Sequence, residues 1–127
     1  MVELGYKILN VIVWQKSDAR PTLSRNYFNF TTEYIVWARK HKHIPHYFNC
    51  NLMEMLNGGT RMSDVWKIPF VASWEMQCGA HPTQKPLRLL YRIILSSTRE
   101  GDTILDPLPV VVQRGLRQIC LIVNSLV

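Results

Sequence analysis

Two short apolar runs rich in β-branched residues, 8–14 (ILNVIVW) and 33–38 (EYIVWA), most constrain what this chain can fold into. Both are shorter than an ordinary helix and read as strands. The first is almost continuously apolar, which predicts a strand buried on both faces. Between them QKSDARPTLSR, with Pro21 and several turn-forming residues, reads as a loop. From Arg39 to Ala80 the pattern breaks down, interrupted by Pro45, Asn57-Gly58-Gly59 and Pro69, and predicts an irregular insertion with short elements only. Order returns at Pro86, a residue favoured in a helix's first turn. Leu87, Leu90, Tyr91 and Ile94 then recur at helical spacing, with Leu89 and Ile93 widening the stripe, and Arg99-Glu100-Gly101 should end the helix. Residues 103–105 (TIL) read as a further strand with Asp106-Pro107 at its tip. Helix followed by strand suggests an α/β sheet, where ligands collect at the carboxyl ends of strands, so Asp106 is expected at a binding edge.

Length and composition exclude several classes. At 127 residues the chain has room for one domain or part of a larger one, and 47% hydrophobic with 19% charged residues describes a globular sequence. Its longest apolar stretch, near residues 119–127, is too short to span a bilayer, and the opening MVELGYKILN carries no small-residue cleavage site, so neither membrane nor signal peptide is expected. Cys50, Cys78 and Cys120 make an odd number without CxxC spacing, which argues against a disulfide scaffold or zinc finger and for a reducing cytoplasm. His41, His43 and His46 lack a fourth ligand, so no metal is expected.

A net charge of +6 points to an anionic partner, and its distribution adds to that. Lys7, Lys16, Arg20, Arg25, Arg39, Lys40 and Lys42 face only Asp18 and Glu33 over the same stretch, and Lys85, Arg88, Arg92 and Arg99 form a second basic run. Lys16, Arg20 and Arg25, in one loop, are candidate phosphate contacts. Glu33 is read as structural, Trp66 and Trp74 as core, and Met53, Met55 and Met62 as gap-filling side chains.

HPTQKP (residues 81–86), the helix after it and GDTILDP (101–107) together resemble the amino-methyltransferases that modify DNA at adenine N6 or cytosine N4, in the circularly ordered class of that family. The resemblance extends upstream in consistent order. ILNVIVWQK and EYIVWARK look like two of the family's strands, residues 21–28 approximate its P-x-x-x-R-x-F loop, and Phe48-Asn49 with NLMEMLNGGTRMSDVWKIP looks like the stretch near its target-recognition region. It implies a partial Rossmann-like α/β sheet built to use S-adenosylmethionine. It also implies a division into sheet strands at 1–38, a target-recognition-like insertion at 39–80, the HPTQKP helix and cofactor strand at 81–107, and a tail at 108–127. His81, Thr83, Gln84, Lys85 and Asp106 are the implied cofactor-side residues. Duplex DNA is the implied partner, with the missing portions of a parent enzyme as a further candidate, and methylation of an adenine N6 amine within restriction-modification is the implied activity. The alternative is a non-enzymatic DNA-binding remnant or a pseudogene product.

Two family features are expected to be missing. The catalytic tetrapeptide, D-P-P-Y or a near variant, belongs upstream of ILNVIVW, so no catalytic residue is assigned. After Asp106-Pro107 the family carries a glycine-rich loop, whereas this chain reads LPVVVQRGLRQICLIVNSLV. Valines cannot give the close backbone approach that a donor's carboxylate and ribose need. With suitable synonymous codons, deletion of one T from a frame encoding PFAGSGTTGIAANLLDC followed by glutamine yields PLPVVVQRGLRQICLIV and then Asn or Lys, and this chain runs the same way from Pro107 to Val123 with Asn at 124. Residues 108–127 are therefore expected to be out-of-frame sequence, and the chain to be inactive on its own.

Overall fold

A computed structural model describes residues 4–19, 21, 23, 26–41, 43–76 and 84–105. It contains strand β1 (Lys7–Gln15), strand β2 (Thr32–Arg39), helix α1 (Cys50–Leu56), strand β3 (Val65–Lys67), a 3-10 turn (Ser73–Met76) and helix α2 (Leu87–Ser97). Two compact units emerge. One holds the described residues up to His46 together with Glu54–Phe70, and the other holds Tyr47–Met53 and the described residues from Val71 onward.

The first unit is built on a three-stranded sheet of order β2-β1-β3. β1 and β2 are antiparallel, with Val11 opposite Val36, Val13 opposite Tyr34 and Trp14 opposite Glu33, and the register shifts between Ile8 and Asn10. β3 joins the other side of β1 in parallel, pairing Trp14 with Trp66. The segment from Arg39 to Ala80 thus contributes a strand to the sheet. Three residues carry no readable period, which is why the sequence shows β3 only as part of an irregular stretch.

β1 is not buried on both faces, as its apolar run suggested. Ile12 and Trp14 are buried, whereas Ile8 and Val11 are exposed. The period of a strand sends Ile12 and Trp14 to one face and Val11 and Val13 to the other, and only the first face is fully covered at the carboxyl end. Trp66 and Ile68 complete that buried set, and Trp14 Nε1 donates to the Ile68 carbonyl at 2.8 Å.

Local chemistry fixes α1 at both ends. Asn49 is its N-cap: the side-chain oxygen accepts from Leu52 N–H at 3.2 Å. At the other end Gly58 and Gly59 adopt φ of 71° and 84°, and Gly59 N–H reaches back to the Glu54 carbonyl at 2.8 Å. Consecutive left-handed residues are accessible to glycine at little cost.

In the second unit α2 begins immediately after Pro86, as expected, and its inward residues are Leu89, Ile94 and Ser96. Pro86 supplies no side-chain cap. Glu75, on the 3-10 turn, replaces it: its carboxylate accepts the Leu87 N–H at 3.1 Å. A carboxylate there also complements the positive end of the helix dipole. The chain leaves α2 at Thr98 and turns at Gly101, φ 79°. Residues 103–105 do not form the expected strand. A short apolar run becomes a strand only beside a neighbour that offers its backbone N–H and C=O groups, and none of the three described strands pairs with it.

Candidate functional site

The carboxyl end of β1 gathers the most chemistry in the first unit. Trp14 and Lys16 are two residues apart and fall on the same side of the chain. Glu33 lies opposite Trp14 in the ladder. Lys16 Nζ consequently meets Glu33 Oε1 at 2.9 Å, with 10% and 37% of the two side chains exposed. The ammonium also sits 4.9 Å from the Phe70 ring centroid and 5.5 Å from that of Trp14. Both rings present electron-rich faces to the cation, and the edge-to-face contact between them, centroids 6.4 Å apart, holds the cage together. Lys16 is a candidate phosphate contact whose charge is engaged within the protein.

This node closes the base of the loop between β1 and β2. Lys16 N–H donates to the Thr31 carbonyl at 2.8 Å, and Asp18 Oδ1 accepts from Phe70 N–H at 2.7 Å. Beyond the base, the loop turns apolar groups outward. Phe28 is 96% exposed, Leu23, Phe30 and Tyr27 are also exposed, and the Tyr27 and Phe30 rings lie 5.6 Å apart. Sequence reading singled out the loop's cations and missed these aromatics. The available signal was aromatic residues within a stretch of turn-formers, where no strand or helix period would carry them into a core. Arg20 and Arg25 lie outside the described residues.

Of the cofactor-side candidates, Gln84 and Lys85 are described, and His81, Thr83 and Asp106 lie outside the described residues. Gln84 Nε2 donates to the Glu75 carbonyl at 3.0 Å, so the same residue that caps α2 also anchors the amide before it. Lys85 is half-buried. Among the described residues, one anchored amide and one ammonium do not make a cradle for a nucleoside with a carboxylate. The valines at 110–112 in the sequence offer no glycine for close backbone approach. No step through a methyl donor is derived from these residues.

The remaining candidates divide. Trp66 is core, its Nε1 donating to the Ser63 carbonyl at 2.8 Å, but Trp74 is 62% exposed, contrary to its reading as core. Trp74 sits on a four-residue 3-10 turn, which is too short to bury a face. Met53 is buried, Met62 half-buried and Met55 exposed, so only Met53 fills the core as expected. Among the described residues no group of three or more His, Cys, Asp or Glu is arranged to hold a metal ion. No described helix is long and apolar enough to cross a membrane. On α2, burial, and after it the neighbouring Arg88 guanidinium, pull Arg92 below its ordinary pKa.

The mixed sheet, the capped helix after Pro86 and the aromatic loop meet their explanation in comparison with known proteins. The model of the DNA methylase family (N6_N4_Mtase) matches residues 1–108, and the chain belongs to that family. It is 56% identical over 105 residues to the type II methyltransferase M2.MboI of Moraxella bovis, covering 83% of this chain and 38% of the relative. It is 55% identical over 104 residues to M2.DpnII of Streptococcus pneumoniae and 52% identical over 104 to M2.LlaDCHI of Lactococcus lactis subsp. cremoris, covering 81% of this chain and 39% of the relative in each case. The chain therefore spans about two fifths of the length of the curated relatives it matches. The family's substrate is DNA, and its methyl donor is S-adenosylmethionine.

Proposed function

We propose that this chain is a segment of a site-specific DNA methyltransferase that moves a methyl group from S-adenosylmethionine to an adenine N6 amine in duplex DNA, in the cytoplasm, and that on its own it does not complete the reaction. The observation that carries this reading is the family match over residues 1–108, joined by relatives that are all named type II methyltransferases. In such chemistry the target base leaves the stack and presents its amine to the donor's methyl group. This chain's contribution is on the binding side. Arg20 and Arg25 contact phosphates, and the outward Tyr27, Phe28 and Phe30 of the same stretch of sequence offer apolar and stacking surface to the opened duplex. Lys16 acts from below, holding the loop base through Glu33 and Phe70.

On the donor side we assign His81, Thr83, Gln84 and Lys85, with Asp106 at the strand tip of the parent fold, and residues 39–80 as a target-recognition-like region. No catalytic residue is assigned. The tail at 108–127 is out of frame. The family match ends at the residue where that reading begins, which supports it. S-adenosylmethionine supplies the methyl group in the intact family, and Gln84 and Lys85, the described residues on its side, do not by themselves cradle it.

The exposed aromatic residues of this loop also favour a second reading, a DNA-binding remnant without activity. A chimera separates the two. Residues 4–107 of this chain replace the matched portion of the Moraxella bovis relative, and methyl transfer to DNA is measured. Activity within tenfold of the parent is expected if this is methyltransferase sequence. A chimera that melts cooperatively, binds DNA and transfers nothing contradicts the methyltransferase reading and leaves the remnant.

A further inference from the structure

The amino end of β1 and the carboxyl end of β2 meet at the far end of the ladder from Lys16 and Glu33, about 25 Å away at the usual rise of a strand. There Lys7 stands directly opposite Arg39. Like charges in opposed ladder positions destabilise a sheet, so this pair costs the free chain stability. The sequence places no Asp or Glu within 7–17 or 34–53. Among the described residues neither Lys7 nor Lys40 forms an ion pair. The segment that follows β2 is tied back to it. Arg39 Nη1 donates to the Ile44 carbonyl at 3.1 Å, and the His46 ring packs edge-on against Trp37, centroids 6.0 Å apart. Between those ties Lys40, His41 and His43 are exposed, as Lys7 is beside them on β1.

We propose that Lys7, Arg39, Lys40, His41 and His43 form a DNA-backbone site separate from the loop between β1 and β2. The inference rests on the reading of the partner as duplex DNA and goes beyond it by placing a phosphate contact at the opposite end of the ladder. The array is exposed and spread over β1, β2 and the tied segment, which suits successive phosphates of a duplex better than one enclosed anion. Lysine and arginine bring charge, and an imidazole can donate an N–H to a phosphate oxygen in either protonation state. Bound phosphates also offset the repulsion between Lys7 and Arg39. Because the segment is tied down before DNA arrives, little ordering remains to weaken binding.

The test measures binding of the full chain, without methyl donor, to two duplexes of about 16 base pairs and unrelated sequence across a salt series. Lys7→Gln and Lys40→Gln should each lower the slope of log affinity against log salt by about one. Each should weaken binding by the same factor on both duplexes, because phosphate contacts carry no sequence information. Lys7→Gln also relieves the opposition to Arg39, so its melt should be unchanged or higher; affinity lost without stability lost separates binding from a structural role. Unchanged slopes, a loss confined to one duplex sequence, or a lower melt for Lys7→Gln would each overturn the proposal. Arg20→Gln and Arg25→Gln in the same series keep the two sites distinguishable. If these alone lower the slope, the present site fails and the loop contact stands. If Lys7→Gln and Lys40→Gln alone lower it, the loop contact fails and this site stands.

Discussion

Lys16 and Glu33, seventeen residues apart in sequence, meet at 2.9 Å where β1 ends and β2 begins, with the ammonium lodged against the rings of Phe70 and Trp14. The pair lies between the fully exposed kind, worth little, and the fully buried kind, whose disruption is costly. Glu33→Gln should therefore destabilise the chain by about 1–2 kcal/mol in denaturant melts, by leaving Lys16 charged in a largely enclosed place. Lys16→Met keeps the apolar stem and removes the charge. Combined with Glu33→Gln it should cost less than the two single changes added, with a coupling of about 0.5–2 kcal/mol. Strict additivity would show that the pair contributes nothing.

A consequence follows for DNA binding. If Lys16 holds the loop base and Arg20 and Arg25 touch phosphates, their variants should differ in salt dependence. Arg20→Gln and Arg25→Gln should each reduce the slope of log affinity against log salt by about one, whereas Lys16→Gln should lower affinity with the slope unchanged. Equal slope losses at all three positions would return Lys16 to the role of a phosphate contact.

Trp14→Phe tests the seam between β1 and the segment after β3. It removes the donor to the Ile68 carbonyl in a fully enclosed place and leaves a small void. A loss of about 2–4 kcal/mol is expected, combining an unsatisfied carbonyl with lost packing. A melt within about 0.5 kcal/mol of the parent chain would show that water or a shifted backbone replaces the indole N–H.

On α2, Arg88 and Arg92 stand four residues apart, a like-charge pair in which burial already works against Arg92. The sign is that of a base whose folded-state pKa is depressed. The charged guanidinium carries the cost below that pKa, and the cost is relieved only as pH rises through it, far above neutrality. Arg88→Glu should thus raise stability by about 0.5–1 kcal/mol, through an opposite-charge pair and a favourable charge in the helix's first turn, and by the same amount from about pH 6 to 9. Destabilisation, or a gain confined to one end of that range, would contradict the assignment.

The strands at 8–14 and 33–38 and the helix after Pro86 were legible because each carries a period that its own residues define. What lay beyond was relational. β3 has too few residues to show a period, and its place depends on pairing Trp66 with Trp14. Residues 103–105 have strand-like composition, yet composition supplies no partner for their backbone. The Lys16–Glu33 contact requires a register that puts Glu33 opposite Trp14, and no local pattern states it. Equally, the capping of α2 by Glu75 spans twelve residues, beyond the reach of a local capping signature. The HPTQKP motif was readable as a motif, but the anchoring of Gln84 to the Glu75 carbonyl was not.

The central claim is that this chain is methyltransferase sequence that engages DNA without completing the reaction. The measurement that tests it most directly incubates the chain with plasmid DNA and S-adenosylmethionine labelled in its methyl group, scoring DNA retardation and label incorporation in the same reaction. The account predicts DNA retarded in a salt-sensitive manner and label no higher than in a reaction without protein. Label above that blank would contradict it.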